Sequence, residues 1–328
     1  MKEEIMKKVF IVFFLGVSLV IFLSSCKKQK ETLPLILAVL PTSDNPYWQD
    51  MRKGIEMGMI TLDEKCDIRV FTGGADTDAQ RQIDVMKSFL DEENVSALIL
   101  GPASGELVVP TVARFIKSGI PVIVVDSMLD PEALKIHNIE VDLFIGSRNE
   151  QGGKLAAERI EYYIGSGERT VLLIEGSPVH ETAIARQNGF INAAPEAWQI
   201  KEERADWDMA EANRVTRSFL QSKIPDGIFS ASDEMAMGVI AALNASGISA
   251  ENWPIVVGFD ATEDGLFAIE AGNMCATIKQ EPQEMGRRAV DAAWNLIRKM
   301  PGNTGKDFID VKIIPQNPGD CRGKRKKI

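Results

Sequence analysis

The sequence predicts an α/β protein made of two similar lobes, each built on a parallel β-sheet with helices on both faces. Short, nearly continuous apolar runs recur along the chain and are typical of buried strands. They alternate with segments in which apolar residues repeat every three or four positions, as in amphipathic helices. This alternation occurs twice in 328 residues, a length at which one hydrophobic core usually divides into two.

The first half opens with the apolar run Leu35–Leu40, which is too short for a buried helix and is bounded by Pro41. Pro46 suits the first turn of a helix, and Asn45 just before it can cap that helix. The residues expected on the buried face of this helix are Trp48, Met51, Ile55, Met59 and Leu62. Further predicted strands are Ile68–Phe71, Ala97–Leu100 and Pro121–Val125, separated by helices marked by Ile83, Met86 and Leu90 and by Val108–Ile116.

The second half repeats the pattern. Because ten to fifteen residues of helix separate successive strands, the strands should pair in parallel through right-handed crossovers. The predicted strands are Val171–Ile174, Trp198–Lys201, Gly227–Phe229 and Ile255–Phe259, and the predicted helices are Ala183–Ala193, Ala210–Leu220 and Glu234–Leu243.

Composition weakens several classes of function. The formal net charge is −10, from 37 basic and 47 acidic residues, which argues against a nucleic-acid partner. Two histidines and four cysteines without a CxxC pair argue against a metal site or a disulfide scaffold, and no cofactor is expected. We expect Cys66 and Cys275 to act as small hydrophobes. No metalloprotease, nucleophile-elbow or phosphate-loop motif occurs.

The first 26 residues have the layout of a bacterial export signal. A basic start is followed by an apolar run of about fifteen residues, which is shorter than the roughly 20 that a membrane-spanning helix needs. The following Leu23-Ser24-Ser25-Cys26 resembles a lipobox, which implies cleavage of residues 1–25 and lipidation, as with palmitate, at Cys26. An uncleaved anchor and an ordinary cleaved signal are the alternatives. Residues 26–33 then form a tether, and residues 319–328 form a basic tail.

Polar side chains follow the predicted strands where each strand ends. Ligands of open parallel sheets bind at the carboxyl ends of the strands. Carboxylates, hydroxyls, an amide and aromatic rings at these ends suit an uncharged polyhydroxyl molecule, because carboxylates accept O–H donors and rings cover C–H faces. The strand-end positions are Thr42–Trp48, Gly101-Pro102, Asp126-Ser127, Glu175-Gly176, Ser232-Asp233 and Asp260.

A series of segments, in the same order and at the same spacing, resembles the periplasmic sugar-binding proteins of the ribose-binding type. They are Asn45-Pro46-Tyr47-Trp48, residues 120–126, Gly146-Ser147 with residues 151–154, residues 185–190, Ala205-Asp206-Trp207-Asp208, residues 232–238, Val257-Gly258-Phe259-Asp260 and residues 276–280. The resemblance implies two Rossmann-like lobes joined by a three-segment hinge, near 147–148, 280–281 and 310–312. Lobe boundaries would be 34–147 plus 281–310 for the N-terminal lobe and 148–280 plus 311–318 for the C-terminal lobe.

The resemblance also implies a ligand between the lobes, a monosaccharide or related polyol. Asp126, Asp260 and Gln280 would bind hydroxyls, and Arg186 would donate to ring or hydroxyl oxygens. Two positions depart from the ribose binder, because Ser127 replaces an Arg and Ser232 an Asn, which leaves room for a larger ring, a substituent or water. The implied ligand-binding residues are Asn45, Tyr47, Trp48, Asp126, Ser127, Arg186, Trp207, Ser232, Asp260 and Gln280.

The resemblance implies a monomeric receptor, lipid-anchored in the cell envelope, that delivers its sugar to the permease of an ABC importer. One alternative is a receptor that signals to a membrane histidine kinase or chemoreceptor. A glycosidase is a second, since Asp126 and Asp260 could act as an acid–base pair, but we expect Arg186 to keep both ionised. The implied ligand-binding side chains also have structural alternatives. Trp48 and Trp207 could be core residues, Asp126 and Asp260 could cap helices, and Arg186 could pair with a neighbouring carboxylate. We expect Asp233 and Glu234 to be structural and His180 to be incidental.

Overall fold

The computed structural model describes residues 33–62, 66–92, 94–302, 304–315 and 321. The predicted export signal, the lipidation site Cys26 and nearly all of the tether and basic tail lie outside the described residues. Within the described part, the predicted α/β class is confirmed, because the strands form two six-stranded sheets in which parallel pairing dominates. No helix in this part is both long and apolar enough to cross a membrane.

The first sheet has the strand order β11-β5-β4-β3-β1-β2, and all of its pairs are parallel. Apolar clusters cover both of its faces. Its strands are β1 (Leu35–Leu40), β2 (Asp67–Thr72), β3 (Val95–Leu100), β4 (Val122–Val125), β5 (Leu143–Ser147) and β11 (Gly305–Ile309), and its helices are α1 (Pro46–Thr61), α2 (Ala79–Glu92), α3 (Val109–Lys117), α4 (Pro131–His137) and α10 (Pro282–Ile297).

The second sheet has the order β12-β10-β9-β8-β6-β7, and only the edge strand β12 is antiparallel to its neighbour. It too has an apolar cluster on each face. Its strands are β6 (Arg169–Glu175), β7 (Trp198–Arg204), β8 (Gly227–Ser230), β9 (Ile255–Asp260), β10 (Ala276–Lys279) and β12 (Lys312–Pro315), and its helices are α5 (Asn149–Ile164), α6 (Glu181–Ala193), α7 (Met209–Leu220), α8 (Asp233–Ala245) and α9 (Glu263–Glu270).

The chain passes between the two sheets three times. It leaves the first sheet after Ser147 and returns to it after Lys279, where α10 packs against β3, β4 and β5. The last passage is between β11 and β12. The first and third passages are joined by an ion pair, with Nε of Arg148 2.7 Å from Oδ1 of Asp310. Each lobe is therefore discontinuous in sequence.

Helix α1 corrects one detail of the predicted apolar face. Asn45 caps the helix as expected, since its side-chain oxygen accepts from the backbone N–H of Tyr47. Met51 and Ile55 are fully buried, but Met59 is 40% exposed. The helix meets α10 through Gly54 and Gly58, where added Cβ atoms would overlap α10. The sequence pattern placed Met59 on the wrong face because these glycines carry no apolar side chain to mark the interface.

The cysteines also differ from expectation. Cys66 is buried and free, as expected of a small hydrophobe. Cys275 forms a disulfide with Cys321, so its predicted role as a free apolar side chain is wrong. The bond ties residue 321 to the segment that leads into β10. Spacing alone could not reveal a pair separated by 46 residues.

Candidate functional site

A cleft lies between the lobes at the carboxyl ends of the strands of both sheets. The space in it that water molecules can occupy has a volume of about 40 Å³. Nine of the ten predicted ligand-binding side chains line it, and Ser127 does not. The lining residues are Asn45, Tyr47, Trp48, Asp76, Asp126, His180, Thr182, Arg186, Trp207, Ser232, Asp260 and Gln280.

Trp48 forms the aromatic part of the first lobe's wall. Its indole lies over Gly101, the residue after β3, where a Cβ atom would come within 2.7 Å of the ring. The indole Nε1 donates to Oδ1 of Asp76 over 2.7 Å, and Nδ2 of Asn45 donates to Oδ2 of the same carboxylate over 3.3 Å. Asp76 therefore fixes two wall residues at once, a role that no sequence motif predicts.

Asp126 is the carboxylate of the first wall. It follows β4 with a φ of 69°, a left-handed conformation that non-glycine residues seldom adopt. The phenolic oxygen of Tyr47 donates to its Oδ1 over 2.6 Å. Burial raises the pKa of Asp126, while Arg186 and the hydrogen bond from Tyr47 act in the opposite direction. Ser127 is buried beside it, and its hydroxyl has no partner among the described residues.

Arg186 projects from α6 and is held by groups of its own lobe. Nε donates to Oδ1 of Asn149 over 2.8 Å, and Nη1 donates to the carbonyl oxygen of Ala231 over 2.6 Å. The guanidinium lies 3.8 Å from the ring centroid of Phe259, a cation–π contact. Nη1 is 3.5 Å from Oδ1 of Asp260. These contacts use Nε and Nη1, so among the described residues the Nη2 hydrogens remain available as donors.

Asp260 ends β9 with a φ of 111°. Nε2 of Gln280 donates to its Oδ1 over 2.6 Å, while Oε1 of Gln280 is buried without a partner among the described residues. Burial raises the pKa of Asp260 to about 8, and Arg186 only partly opposes this. At Asp260, burial therefore outweighs the nearby guanidinium, contrary to the expectation that Arg186 keeps this carboxyl ionised.

Trp207 forms the aromatic part of the second lobe's wall. It has a φ of 70°, and its indole lies against Gly176, where no Cβ atom could be accommodated. Its Nε1 donates to Nδ1 of His180 over 2.8 Å. His180 is only 6% exposed and lines the cleft. The expectation that it is incidental is wrong, because the loop between β6 and α6 folds it against Trp207.

Ser232 and Asp233 have largely structural contacts. The hydroxyl of Ser232 lines the cleft and also caps α8, accepting from the backbone N–H of Met235 over 3.2 Å. Asp233 is fully buried and accepts from the backbone N–H of Thr262 and the hydroxyl of Thr277. These contacts agree with the structural role expected for Asp233. Among the described residues, no cluster of His, Cys, Asp and Glu side chains could hold a metal ion.

Sequence comparison identifies similar proteins over most of the chain. The profile of the family described as the periplasmic binding protein domain matches residues 36–301. The D-allose-binding periplasmic protein of Escherichia coli (strain K12) is 34% identical over 253 residues, which are 76% of this chain and 79% of that protein. The ribose import binding protein RbsB of Bacillus subtilis (strain 168) is 28% identical over 277 residues, 84% of each chain.

Structural comparison agrees. The crystal structure of an ABC transporter periplasmic solute-binding protein from Actinobacillus succinogenes 130z with bound D-allose superposes with a TM-score of 0.79 at 25% identity. The superposition covers 86% of this chain and 98% of that one. The two-lobed architecture is therefore shared with that protein over 86% of this chain.

Proposed function

Since this chain belongs to the periplasmic binding protein family, we propose that it is the sugar-binding component of an ABC importer and closes around one monosaccharide or related polyol. The family consists of solute-binding proteins rather than enzymes, which argues against the glycosidase alternative. Relatives named for the import of ribose favour transport over signalling to a kinase or chemoreceptor.

The observation that carries the proposal is that polar acceptors from both lobes converge on one cleft. Asp126 and Asp260 each use Oδ1 for a protein donor, which leaves Oδ2 for a ligand hydroxyl. Oε1 of Gln280 is buried and has no partner among the described residues, and a buried unpaired acceptor is destabilising until it receives a donor. A sugar supplies several O–H donors together with apolar C–H faces for Trp48 and Trp207.

The lobes proposed to move are residues 34–147 plus 281–310 and residues 148–280 plus 311–318. Three single-chain passages connect them, and a ligand that contacts both walls favours the closed arrangement. The permease of the importer would then recognise the closed form. We also propose that Cys26 carries the lipid, palmitate among its acyl chains, that anchors the receptor in the cell envelope. Replacing Cys26 by Ala should release the protein from membranes and abolish labelling with radioactive palmitate.

The experiment that tests sugar binding is a thermal-shift screen of the mature protein against pentoses, hexoses and cyclic polyols. A ligand at 100 times its Kd adds about 2.7 kcal/mol to the free energy of unfolding, so one sugar should stand out. Asp126→Ala and Asp260→Ala should abolish that shift. Asp91→Ala is the matched control, since Asp91 pairs with Arg114 on the exposed surface. A screen without any stabilising sugar, or normal binding by both cleft variants, would contradict the proposal.

A further inference from the structure

The two aromatic walls of the cleft are built in the same way. Each tryptophan lies over a glycine that follows a strand, and each donates its indole N–H to a titratable side chain of its own lobe. The distances are 2.7 Å from Trp48 to Asp76 and 2.8 Å from Trp207 to His180. Neither acceptor belongs to the set that the sequence predicted.

We propose that Asp76 and His180 are positioning residues that hold the two indoles as fixed walls for the sugar. This inference rests on the proposed function. In this role the two residues contact the tryptophans rather than the ligand. Each accepts from an indole Nε1 and so fixes the orientation of a ring that stacks on the sugar.

The geometry of His180 is suited to holding the indole of Trp207. An indole N–H can only donate, so Nδ1 must accept, and the neutral imidazole then carries its hydrogen on Nε2. That hydrogen is available to the backbone of Pro102 and Ala103, which interact with the imidazole from the first lobe. Burial lowers the pKa of His180 to about 4, which keeps the ring in this neutral form. The neutral ring can therefore accept from Trp207 while its own orientation is set by a second contact.

Fixing the indoles matters because a wall that can turn loses affinity in two ways. A mobile ring must be ordered when the sugar binds, and ordering a side chain opposes binding. An indole N–H without an acceptor would also be left unpaired once the cleft closes. The space for the two rings is provided by Gly101 and Gly176. The hydrogen bonds to Asp76 and His180 then restrict rotation of the rings.

The first test needs no ligand. The chain has five tryptophans, and ¹⁵N labelling of their indoles gives five N–H resonances, among which Trp207→Phe identifies that of Trp207. His180→Phe should move this resonance upfield and speed its exchange with solvent, while His180→Gln, whose side-chain oxygen can accept, should largely restore both. His137→Phe is the matched control on α4. An unchanged Trp207 resonance in His180→Phe would overturn the proposal.

The second test is a double-mutant cycle measured with the sugar that the wild type binds. His180→Phe should weaken the Kd about tenfold, but less than twofold when Trp207 is already Phe, because no N–H then remains to be held. Asp76→Leu should also cost less affinity in the Trp48→Phe background, but part of its effect should remain because Asp76 holds Asn45 as well. Equal losses in both backgrounds, or normal affinity of His180→Phe, would overturn the positioning role. A wild type that binds no sugar would instead overturn the proposed function while leaving the hydrogen bonds to be judged by the indole resonances.

Discussion

The phenolic oxygen of Tyr47 donates a 2.6 Å hydrogen bond to Oδ1 of Asp126, joining the first turn of α1 to the residue after β4. Both side chains are buried. Asp126 sits in a left-handed backbone conformation, so its carboxylate points where the strand alone would not send it. Tyr47 engages one oxygen and thereby determines which oxygen is left for a ligand.

Tyr47→Phe should weaken sugar binding roughly tenfold and lower the free energy of unfolding by about 1–3 kcal/mol, because a buried carboxylate loses its donor. Titration calorimetry and urea denaturation measure the two effects. Tyr162→Phe is the matched control, since the side chain of Tyr162 is exposed on α5 rather than buried against a carboxylate of the cleft. Equal behaviour of the two variants would show that the contact with Asp126 contributes nothing.

Gly101→Ala and Gly176→Ala should each displace the indole that lies on the glycine. The added Cβ atom would overlap Trp48 in the first variant and Trp207 in the second, so the rings must move and stacking on the sugar is lost. We expect the Kd to rise by about 10- to 100-fold, since overpacking of this kind costs about 1–3 kcal/mol.

The control for these variants is Gly167→Ala, because a Cβ atom at Gly167 meets nothing within 4 Å. This change should leave both the Kd and the melting temperature unaltered. If Gly101→Ala binds the sugar as Gly167→Ala does, the position of the Trp48 ring is unimportant for affinity.

Replacing Cys275 or Cys321 by Ser should lower the melting temperature without changing sugar affinity. The disulfide joins residues 46 apart in the sequence and lies at the end of β10 opposite to Gln280, and such crosslinks stabilise by about 2–4 kcal/mol. The expected decrease is roughly 5–10 °C. Reducing the wild type with dithiothreitol should reproduce it, whereas Cys66→Ser should remain sensitive to the reductant. A wild type that melts at the same temperature with and without reductant would contradict the prediction.

The strands can be predicted because a buried parallel strand consists of a short run of consecutive apolar residues, which is visible in the sequence itself. Leu35–Leu40 was predicted with its observed bounds, and Val171–Ile174 lies within the observed Arg169–Glu175. The sequence pattern does not predict the strand Leu143–Ser147, which contains Gly146. It also does not predict the helix Pro131–His137, which spans only two turns. Their places are fixed by packing rather than by a clear periodicity.

The wall residues at strand ends could be predicted for the same local reason, since topology brings such positions together. Asp76 and His180 could not. They reach Trp48 and Trp207 across 28 and 27 residues of chain, and the loops that fold them back carry no periodic pattern. Nor does the sequence show that Arg186 is held by Asn149 and a backbone carbonyl, so it does not predict the raised pKa of Asp260.

The free energy of unfolding should depend on pH through His180. Burial lowers the pKa of this imidazole from its ordinary 6.5 to about 4, with Arg186 on α6 lowering it further and Asp206 and the backbone of Pro102 and Ala103 raising it. The unfolded chain therefore binds the proton more tightly than the folded protein. The contribution of the neutral ring is complete above pH 6.5 and declines as the pH falls towards 4, by at most about 1.4 kcal/mol per pH unit.

This dependence is isolated by comparing the wild type with His180→Gln, whose side chain can accept from Trp207 but does not titrate in this range. Asp260, with its pKa raised to about 8, favours the folded state in the opposite direction, towards low pH, but it is present in both proteins. The difference in free energy of unfolding between them, from urea denaturation at intervals from pH 7 to pH 4, should therefore shift against the wild type as the pH falls. A difference that stays constant across this range would mean that the imidazole of His180 titrates normally and is not held neutral against Trp207.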